Sequence, residues 1–350
     1  MAEFESNEAE QEGPEGNESN RVISIIVRTI FLFQTMTLMS DHNIVLLLGL
    51  FRFFIYLLVT FLSLDNLQSC LDLFPKTLYS AKKIAGLSSI DDLFSKWVVC
   101  TKCHTLYRYE DSFKVLQNGR RVSQKCSFVP FPNHTFASGR KRCGARLLNK
   151  VLSSDGKFLL NPRKVYCQRS IKDSLQSLLN RPGFKEQLLR NKESESTIMT
   201  DICDGELYKT FKSNNGELFF NDIRNLGAVL NVDWFQPFKN TEYSLGVIYM
   251  AITNLPRDVR FKLENIIVCG IIPGPKEPKL NINTYLKPIV DELEKLWRGF
   301  YLNDGGYFGK SLYKFAVICL SSDIPATRKC GGFLGFGANK GIEMQSNQPS

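Results

Sequence analysis

Two long apolar segments follow one another near the start of the chain, over 22–39 and 44–64. The second has the length of about 20 residues that a membrane-spanning helix needs. Arg52 lies near its centre, where a charge costs about 2.5–3.5 kcal/mol on insertion scales. The stretch that follows, 73–94, has the pattern of amphipathic helix pieces, which is typical of a soluble domain. We therefore predict a buried helical region over 21–95, and the alternative is a membrane-anchored protein that uses residues 44–64.

Apolar runs with strand character dominate the last third of the chain, where one helix-like segment interrupts them. We predict strands over 227–235, 244–253 and 266–272, a helix over 282–297, and a further strand over 313–320. Three strands, a helix and another strand are typical of an α/β or α+β domain with a mixed sheet.

Composition divides the rest of the chain into segments of different character. The polar stretches 1–20 and 342–350 are predicted to be disordered tails, because they cannot bury enough apolar surface to fold. A basic module that contains cysteines covers 96–150, and a helical connector that ends in the polar linker NKESEST covers 151–197. The β-rich domain then takes residues 198–341.

The charge balance favours a polyanionic partner. The chain has 44 Lys and Arg against 35 Asp and Glu, but seven of the glutamates lie in the first 20 residues, so the remainder carries a formal charge of +16. Such an excess suits DNA or an anionic membrane surface. A hydrophobic fraction of 43% excludes a fully disordered protein. Ten cysteines are too few for a disulfide scaffold, which indicates a reducing compartment, nuclear or cytoplasmic, with a membrane location as the alternative.

Four of the ten cysteines lie in the module 96–150, and two of them form a Cys-x-x-Cys motif. Zn²⁺ takes four Cys or His ligands in a tetrahedron, and such a motif supplies two of them from one tight turn. We predict a zinc-ribbon-like module with a structural Zn²⁺. Its ligands are four cysteines, or three cysteines and a histidine: Cys100, Cys103, Cys126 and Cys143, with His134 as the alternative ligand. Unliganded buried cysteines are the competing interpretation.

The same module carries twelve Lys and Arg against two acidic residues. Seven of these cations suit contacts with DNA phosphates: Arg120, Arg121, Lys125, Arg140, Lys141, Arg142 and Arg146. The alternative is a solvated basic face without DNA affinity, which would leave a non-enzymatic, zinc-dependent protein-interaction module.

Two aspartates, Asp233 and Asp323, come at the ends of predicted apolar strands. Carboxylates in that position can coordinate Mg²⁺, and paired divalent metals support phosphodiester chemistry. Aspartates at strand ends more often serve turns or caps, so both interpretations stay open. The sequence has no Walker A loop and no dinucleotide-binding glycine fingerprint, and its three histidines all precede the β-rich domain, which does not favour a Ser-His-Asp enzyme.

Several exact strings follow one another in the chain. They are NVDWFQPF at 231–238, YSLGVIY at 243–249, NLPR at 254–257, IIPGPKEP at 271–278 and DIPATRK at 323–329. In this order they closely resemble the transposases of CACTA-like (En/Spm and Plavaka-type) DNA elements. The cysteine module resembles the N-terminal zinc region of those transposases through VCTKCHTLY at 99–107 and FVPFPNH at 128–134. The resemblance covers residues 78–341.

This resemblance implies an RNase H-like catalytic core. In those transposases two aspartates and a later acidic residue hold two divalent metal ions for DNA nicking and strand transfer. By motif match, Asp233 on the first strand is the first aspartate, and Asp323, just after the fourth strand, is the second. Mg²⁺ is the cofactor that this site would use.

The sequence departs from those transposases after Asp323. Their third carboxylate lies on a helix well downstream, whereas this sequence has only 27 residues after Asp323. Phe336 stands where they have a histidine, and the Cys-x-x-Cys that follows there is missing. We therefore expect an incomplete, C-terminally truncated RNase H-like domain with Asp233 and Asp323 as vestigial, non-catalytic metal ligands. The expected function is zinc-dependent DNA binding by a truncated transposase-like protein of a cut-and-paste DNA element, with DNA and a full-length transposase as partners.

Overall fold

The protein is mixed α+β, as seen in a computed structural model that describes residues 14–37, 39–62, 67–87, 93–152, 156, 158–190, 199–278, 281–305 and 309–333. The chain forms two compact units, Met1–Leu93 and Phe94–Ser350. Several segments with sequence-based predictions lie outside the described residues: 1–13, the linker 191–197, the string 335–341 and the tail 342–350.

The described residues form ten α-helices. They are α1 (Pro14–Thr37), α2 (Asp41–Leu62), α3 (Gln68–Leu73), α4 (Leu78–Ile84), α5 (Ile171–Leu179), α6 (Phe184–Arg190), α7 (Glu206–Thr210), α8 (Arg257–Arg260), α9 (Ile282–Arg298) and α10 (Ile324–Cys330).

The described strands number twelve, and all lie in the second unit. They are β1 (Phe94–Val99), β2 (Leu106–Tyr107), β3 (Phe113–Val115), β4 (Arg121–Ser123), β5 (Leu148–Leu152), β6 (Phe158–Pro162), β7 (Val165–Arg169), β8 (Asn225–Phe235), β9 (Leu245–Ile252), β10 (Ile266–Ile272), β11 (Phe300–Asn303) and β12 (Lys310–Leu320).

The first unit packs α1–α4 around a small apolar core that includes Ile23 and Val27 of α1 and Ile44 of α2. Helix α1 begins at Pro14, so residues 14–20 are helical rather than part of the predicted disordered tail. Proline suits the first position of a helix. This local signal opposes the low apolar content on which the prediction rested.

Helix α2 lacks the burial that the sequence predicted for it. It is long and apolar enough over 41–61 to cross a membrane, and only 11% of its 18-residue apolar window is buried. Leu50, Phe54 and Phe61 are exposed, whereas Arg52 is half-buried. An apolar segment of this length can form a helix, but its burial depends on other elements that pack against it. Here α3 and α4 are only six and seven residues long and leave most of the 22-residue α2 uncovered.

An eight-stranded mixed sheet organises the second unit, in the order β11-β12-β8-β9-β10-β7-β1-β2. Strands β8, β9 and β10 form an antiparallel meander. Helix α9 follows β10, and β12 then lies parallel to β8 at its free side. Strand β7 is antiparallel to both β10 and β1. The predicted module 96–150 and the predicted domain 198–341 therefore contribute strands to one sheet. The connector 151–197, predicted as helical, instead begins with strands β6 and β7 before α5 and α6, and β7 joins the two regions.

The five predicted elements of the β-rich part are confirmed as β8, β9, β10, α9 and β12, with ends shifted by at most three residues. Strand β11 was not predicted, because four residues directly after Gly299 give too short a pattern to recognise.

Helix α9 supplies much of the core of the second unit. Its residues Ile282, Tyr285, Ile289 and Leu296 are buried at helical spacing and join the apolar side chains of the central strands. Beside this core, the cysteine-containing segments form a separate small cluster with Val98, Leu147 and Leu148.

Candidate functional site

The first two predicted ligands lie in the turn between β1 and β2. Cys100 directly follows β1, and Cys103 lies three residues on. The backbone N–H of His104 donates to the carbonyl of Cys100 at 3.0 Å and closes the turn. His104 has a positive φ of 62°, which residues other than glycine seldom adopt. The sharp turn brings both thiols into one cluster.

The other two cysteines come from segments that pair through their backbones. The N–H of Cys126 donates to the carbonyl of Ala145 at 2.7 Å, and the N–H of Gly144 returns a bond to Cys126 at 3.0 Å. The N–H of Cys143 donates to the carbonyl of Phe128 at 2.7 Å. These bonds place Cys126 beside Cys143 although sixteen residues separate them in the sequence.

The four thiols have the spacing of a tetrahedral metal site. All four Sγ atoms lie within 4.8 Å of one another. Cys100 Sγ lies 3.6 Å from Cys143 Sγ, and Cys103 Sγ lies 3.4 Å from Cys126 Sγ. Zinc–sulfur bonds of about 2.3 Å place ligand sulfurs about 3.8 Å apart. The four cysteines can therefore hold a metal ion, and their chemistry is consistent with zinc.

Burial acts against ionisation of most of these thiols. It raises the pKa of Cys100, Cys103 and Cys126. Burial also opposes ionisation of Cys143, but the N–H of Ala145 and the neighbouring thiols outweigh it and lower the pKa of that thiol. Since metal ions bind thiolates, a cation in the cluster would have to displace protons from the three raised groups.

His134 does not join the cluster. It is exposed, and its Nδ1 accepts from the backbone N–H of Phe136 at 3.1 Å. The structure therefore brings together the ligand set of four cysteines and not the alternative of three cysteines with His134.

His104 ties the cysteine turn to the core of the unit, a role that the sequence did not indicate. Its Nδ1 lies 2.7 Å from the hydroxyl of Tyr285 on α9. Tyr285 is fully buried, and its carbonyl accepts from the hydroxyl of Tyr166 on β7 at 3.0 Å. Burial, and to a lesser extent Lys164, lower the pKa of His104. The imidazole thus favours its neutral form at this contact.

The seven predicted DNA-binding cations fall into two groups. Arg120, Arg121, Lys125 and Arg146 line a groove of about 800 Å³, together with Lys150, which the sequence did not single out. We call this the cationic groove. The other three, Arg140, Lys141 and Arg142, are exposed on the 3-10 turn and loop that precede Cys143 and do not line the groove.

Asp233, near the end of β8, and Asp323, just after β12, occupy equivalent positions along two neighbouring parallel strands. Leu230 of β8 is in register with Leu320 of β12, and each aspartate comes three residues later. The hydroxyl of Ser322 accepts from the N–H of Val232 at 2.8 Å and holds the strand ends together. Both aspartates therefore belong to the same edge of the sheet.

Each of these carboxylates also has a local structural partner. Asp323 is the N-cap of α10, and its Oδ1 accepts from the N–H of Ala326 at 2.7 Å. Oδ1 of Asp233 accepts from the N–H of Trp234 at 2.8 Å. Among the described residues, the cysteine cluster is the one group of three or more side chains with metal-binding geometry. The aspartates form at most a pair there.

The loop after β10 supplies a further carboxylate, Glu277, to a contact with α10. Its Oε2 accepts from Nζ of Lys329 at 2.5 Å, and that ammonium lies 4.9 Å from the ring centroid of Trp234. Lys329 neutralises Glu277, and their ion pair holds α10 against the loop and the end of β8. The sequence did not single out this contact.

A family model matches part of the chain. Residues 197–350 match the transposase family tnp2. The matched segment contains β8–β12 and both aspartates, whereas the cysteine cluster and the cationic groove precede it. The match supports a transposase family for this part of the chain. No curated protein matches the sequence.

Proposed function

We propose that this chain is a transposase-like protein of a cut-and-paste DNA element, related to CACTA-like transposases, that binds DNA in a zinc-dependent manner and does not cleave it. The convergence of four cysteines beside a cationic surface carries the proposal. The match to transposase family tnp2 supports DNA as the partner. A full-length transposase is the proposed protein partner, in the nucleus or the cytoplasm.

The proposed zinc is structural. Cys100, Cys103, Cys126 and Cys143 would provide all four ligands, and a site with four protein ligands has no open position for water or substrate. The contribution of the metal would be to fold the turns that carry the basic residues, because zinc binding to such a site is coupled to folding.

An RNase H-like core is proposed for the β-rich part. The topology supports it: an antiparallel meander, a helix, and a fourth strand parallel to the first. The placement of Asp233 on the first of these strands and of Asp323 just after the fourth agrees with the resemblance to CACTA-like transposases.

We propose that the chain does not cleave DNA because strand cleavage by the transposases that it resembles needs a third acidic metal ligand. Asp233 and Asp323 would hold Mg²⁺ through their carboxylates. Within the described part of the chain, no third acidic group converges with them. Their hydrogen bonds to Trp234 and Ala326 also suit a structural role.

Zinc content and DNA binding of the full chain test the proposal. We expect about one zinc per chain by elemental analysis, and affinity for random duplex DNA that falls steeply as salt rises, since cations that contact phosphates release counterions. Cys126→Ser should lower both zinc content and affinity. His134→Ala is the matched control and should change neither.

Three results would contradict the proposal. A chain without zinc would refute the metal site, and zinc without DNA affinity would favour the protein-interaction module instead. If the chain nicks supercoiled plasmid in the presence of Mg²⁺ and Asp233→Asn abolishes this nicking, the chain cleaves DNA and that part of the proposal is wrong.

Exposure of α2 favours a second candidate, a membrane-associated protein. Leu50, Phe54 and Phe61 leave a wide apolar surface on a helix of spanning length. Carbonate extraction of a membrane fraction is the test. An anchor predicts that the unaltered chain stays in the pellet and that the double variant Leu50→Glu with Phe54→Glu does not. Release of the unaltered chain into the supernatant would refute the anchor.

A further inference from the structure

The cationic groove combines positive charge with exposed apolar surface. It lies between the hairpins β3–β4 and β5–β6. Five cations line it, and none of its lining residues is acidic. None of the five forms an ion pair with a carboxylate of the described residues. The groove therefore has positive charge that the described chain does not neutralise.

The backbone places these cations opposite one another. Lys125 forms an antiparallel bridge with Arg146, and like charges in directly opposite positions destabilise a strand pair. Side chains two or four residues apart share one face of an extended segment. Arg121 therefore lies on the face of Lys125, and Lys150 on that of Arg146. A bound polyanion would relieve the repulsion that this arrangement creates.

Aromatic and aliphatic side chains lie beside the charges. Phe158 on β6 is 61% exposed and Leu159 is 51% exposed. Nζ of Lys150 lies 3.5 Å from the ring centroid of Phe158, so the ring is next to a cation and still open to solvent. A duplex offers a polyanion but keeps the faces of its bases stacked inside. An unpaired strand offers phosphates together with free base faces, and it therefore matches both parts of the groove.

We propose that the cationic groove binds single-stranded DNA, with phosphates along Arg121, Lys125, Arg146 and Lys150 and a base against Phe158. This rests on the proposed DNA-binding function and narrows it to one surface and one form of DNA. The exposed cations Arg140, Lys141 and Arg142 lie outside the groove and are not part of this site.

The test measures binding of the full chain by fluorescence anisotropy. The probes are an oligothymidylate of about 15 nucleotides, which is in the range of known single-strand site sizes, and a duplex of the same length. We expect tighter binding to the single strand. Phe158→Ala should weaken single-strand binding about tenfold and leave its salt dependence unchanged, because stacking contributes affinity without releasing counterions.

A charge variant separates the two parts of the groove. Arg121→Gln should weaken single-strand binding and also reduce the slope of log affinity against log salt by about 0.7, the effect of one phosphate contact. The matched controls are Phe131→Ala, an aromatic residue that is 65% exposed and does not line the groove, and Lys172→Gln, an exposed cation of α5 that does not line it either. Both should bind the single strand like the unaltered chain. Circular dichroism and zinc content establish that each variant is folded.

The outcomes distinguish this proposal from the broader one. If the chain binds neither probe, DNA binding itself is refuted. If it binds DNA but Phe158→Ala and Arg121→Gln behave like their controls, the groove is not the site. A stronger loss of duplex than of single-strand affinity in both groove variants would assign the groove to duplex DNA and overturn the single-strand assignment.

Discussion

A buried ion pair in the second unit joins the segment before α7 to α8. The guanidinium of Arg260 donates to both carboxylate oxygens of Asp201, at 2.6 and 2.5 Å. The side chains are only 4% and 15% exposed. Arg260 also donates to the carbonyls of Thr253 and Leu255, so its charge is fully surrounded by acceptors. Removing one partner of such a pair leaves the other charge buried without compensation.

We expect Asp201→Asn to lower the free energy of unfolding at neutral pH by about 3 kcal/mol, as measured by urea denaturation. The control is Asp222→Asn, whose pair with Arg224 is exposed on both sides and should contribute at most about 1 kcal/mol. Equal losses in the two variants would contradict a special role for the buried pair.

The same variant should change the response to acid. Burial opposes ionisation of Asp201, but the hydrogen bonds from Arg260 and from the N–H of Ile202 outweigh it and lower its pKa. A folded-state pKa below the unfolded value of about 3.9 contributes stability above that pH. The contribution is lost as pH falls through the folded pKa. The difference between the unaltered chain and Asp201→Asn should therefore shrink between neutral pH and about pH 3.

At the scale of the element, α10 depends on the cap that Asp323 provides. The helix has only seven residues, with a proline in its first turn, so one terminal hydrogen bond is a large part of its stabilisation. We expect Asp323→Ala to lower the free energy of unfolding by about 1 kcal/mol. Asp323→Asn is the matched control and should stay within a few tenths, since asparagine caps as well. Equal losses in chemical denaturation would refute capping as the role of this side chain.

Elements with a strong internal pattern were the ones the sequence could predict. Strands β8 and β9 and helix α9 carry enough apolar positions to identify them, and the Cys-x-x-Cys spacing identifies one tight turn. The choice of Cys143 over His134 depends on the backbone pairing of Cys126 with Ala145, which no local spacing encodes. The cationic groove likewise arises because Lys125 meets Arg146, 21 positions later.

The position of α2 shows the same limit for a helix. Its sequence determines a helix of 22 residues, but burial depends on which other elements are available to cover it. Leu50 and Phe54 are apolar enough for a core and yet remain exposed. Apolar composition predicts what a segment would gain from burial and not whether the fold supplies a partner.

For the whole molecule, the shared sheet makes the cysteine cluster part of the larger unit. Strand β1, which leads into Cys100, pairs with β7, and β7 pairs with β10. All three tryptophans lie in this unit, on β1, β8 and α9. Their fluorescence therefore reports both on the part of the sheet next to the cysteine cluster and on the part that contains β8.

We expect a zinc chelator to lower the thermal midpoint of the tryptophan fluorescence transition and to keep it a single transition, because the cluster and the core unfold together. Cys103→Ser should begin at the lower midpoint and not respond to the chelator. Separate transitions for Trp97 and Trp234, followed in variants that retain one tryptophan each, would contradict this coupling.

The pairing of β7 with β10 also sets an order of events during synthesis. Cys167 on β7 lies opposite Ile271 on β10, about a hundred residues further along the chain. Contacts between such distant positions form late, since closing the long loop between them costs conformational entropy before the contact can form. While the ribosome makes the intervening residues, β7 can pair only with β1 and exposes an unpaired edge. A chaperone that covers this edge would protect the nascent chain from strand-to-strand aggregation until β10 emerges.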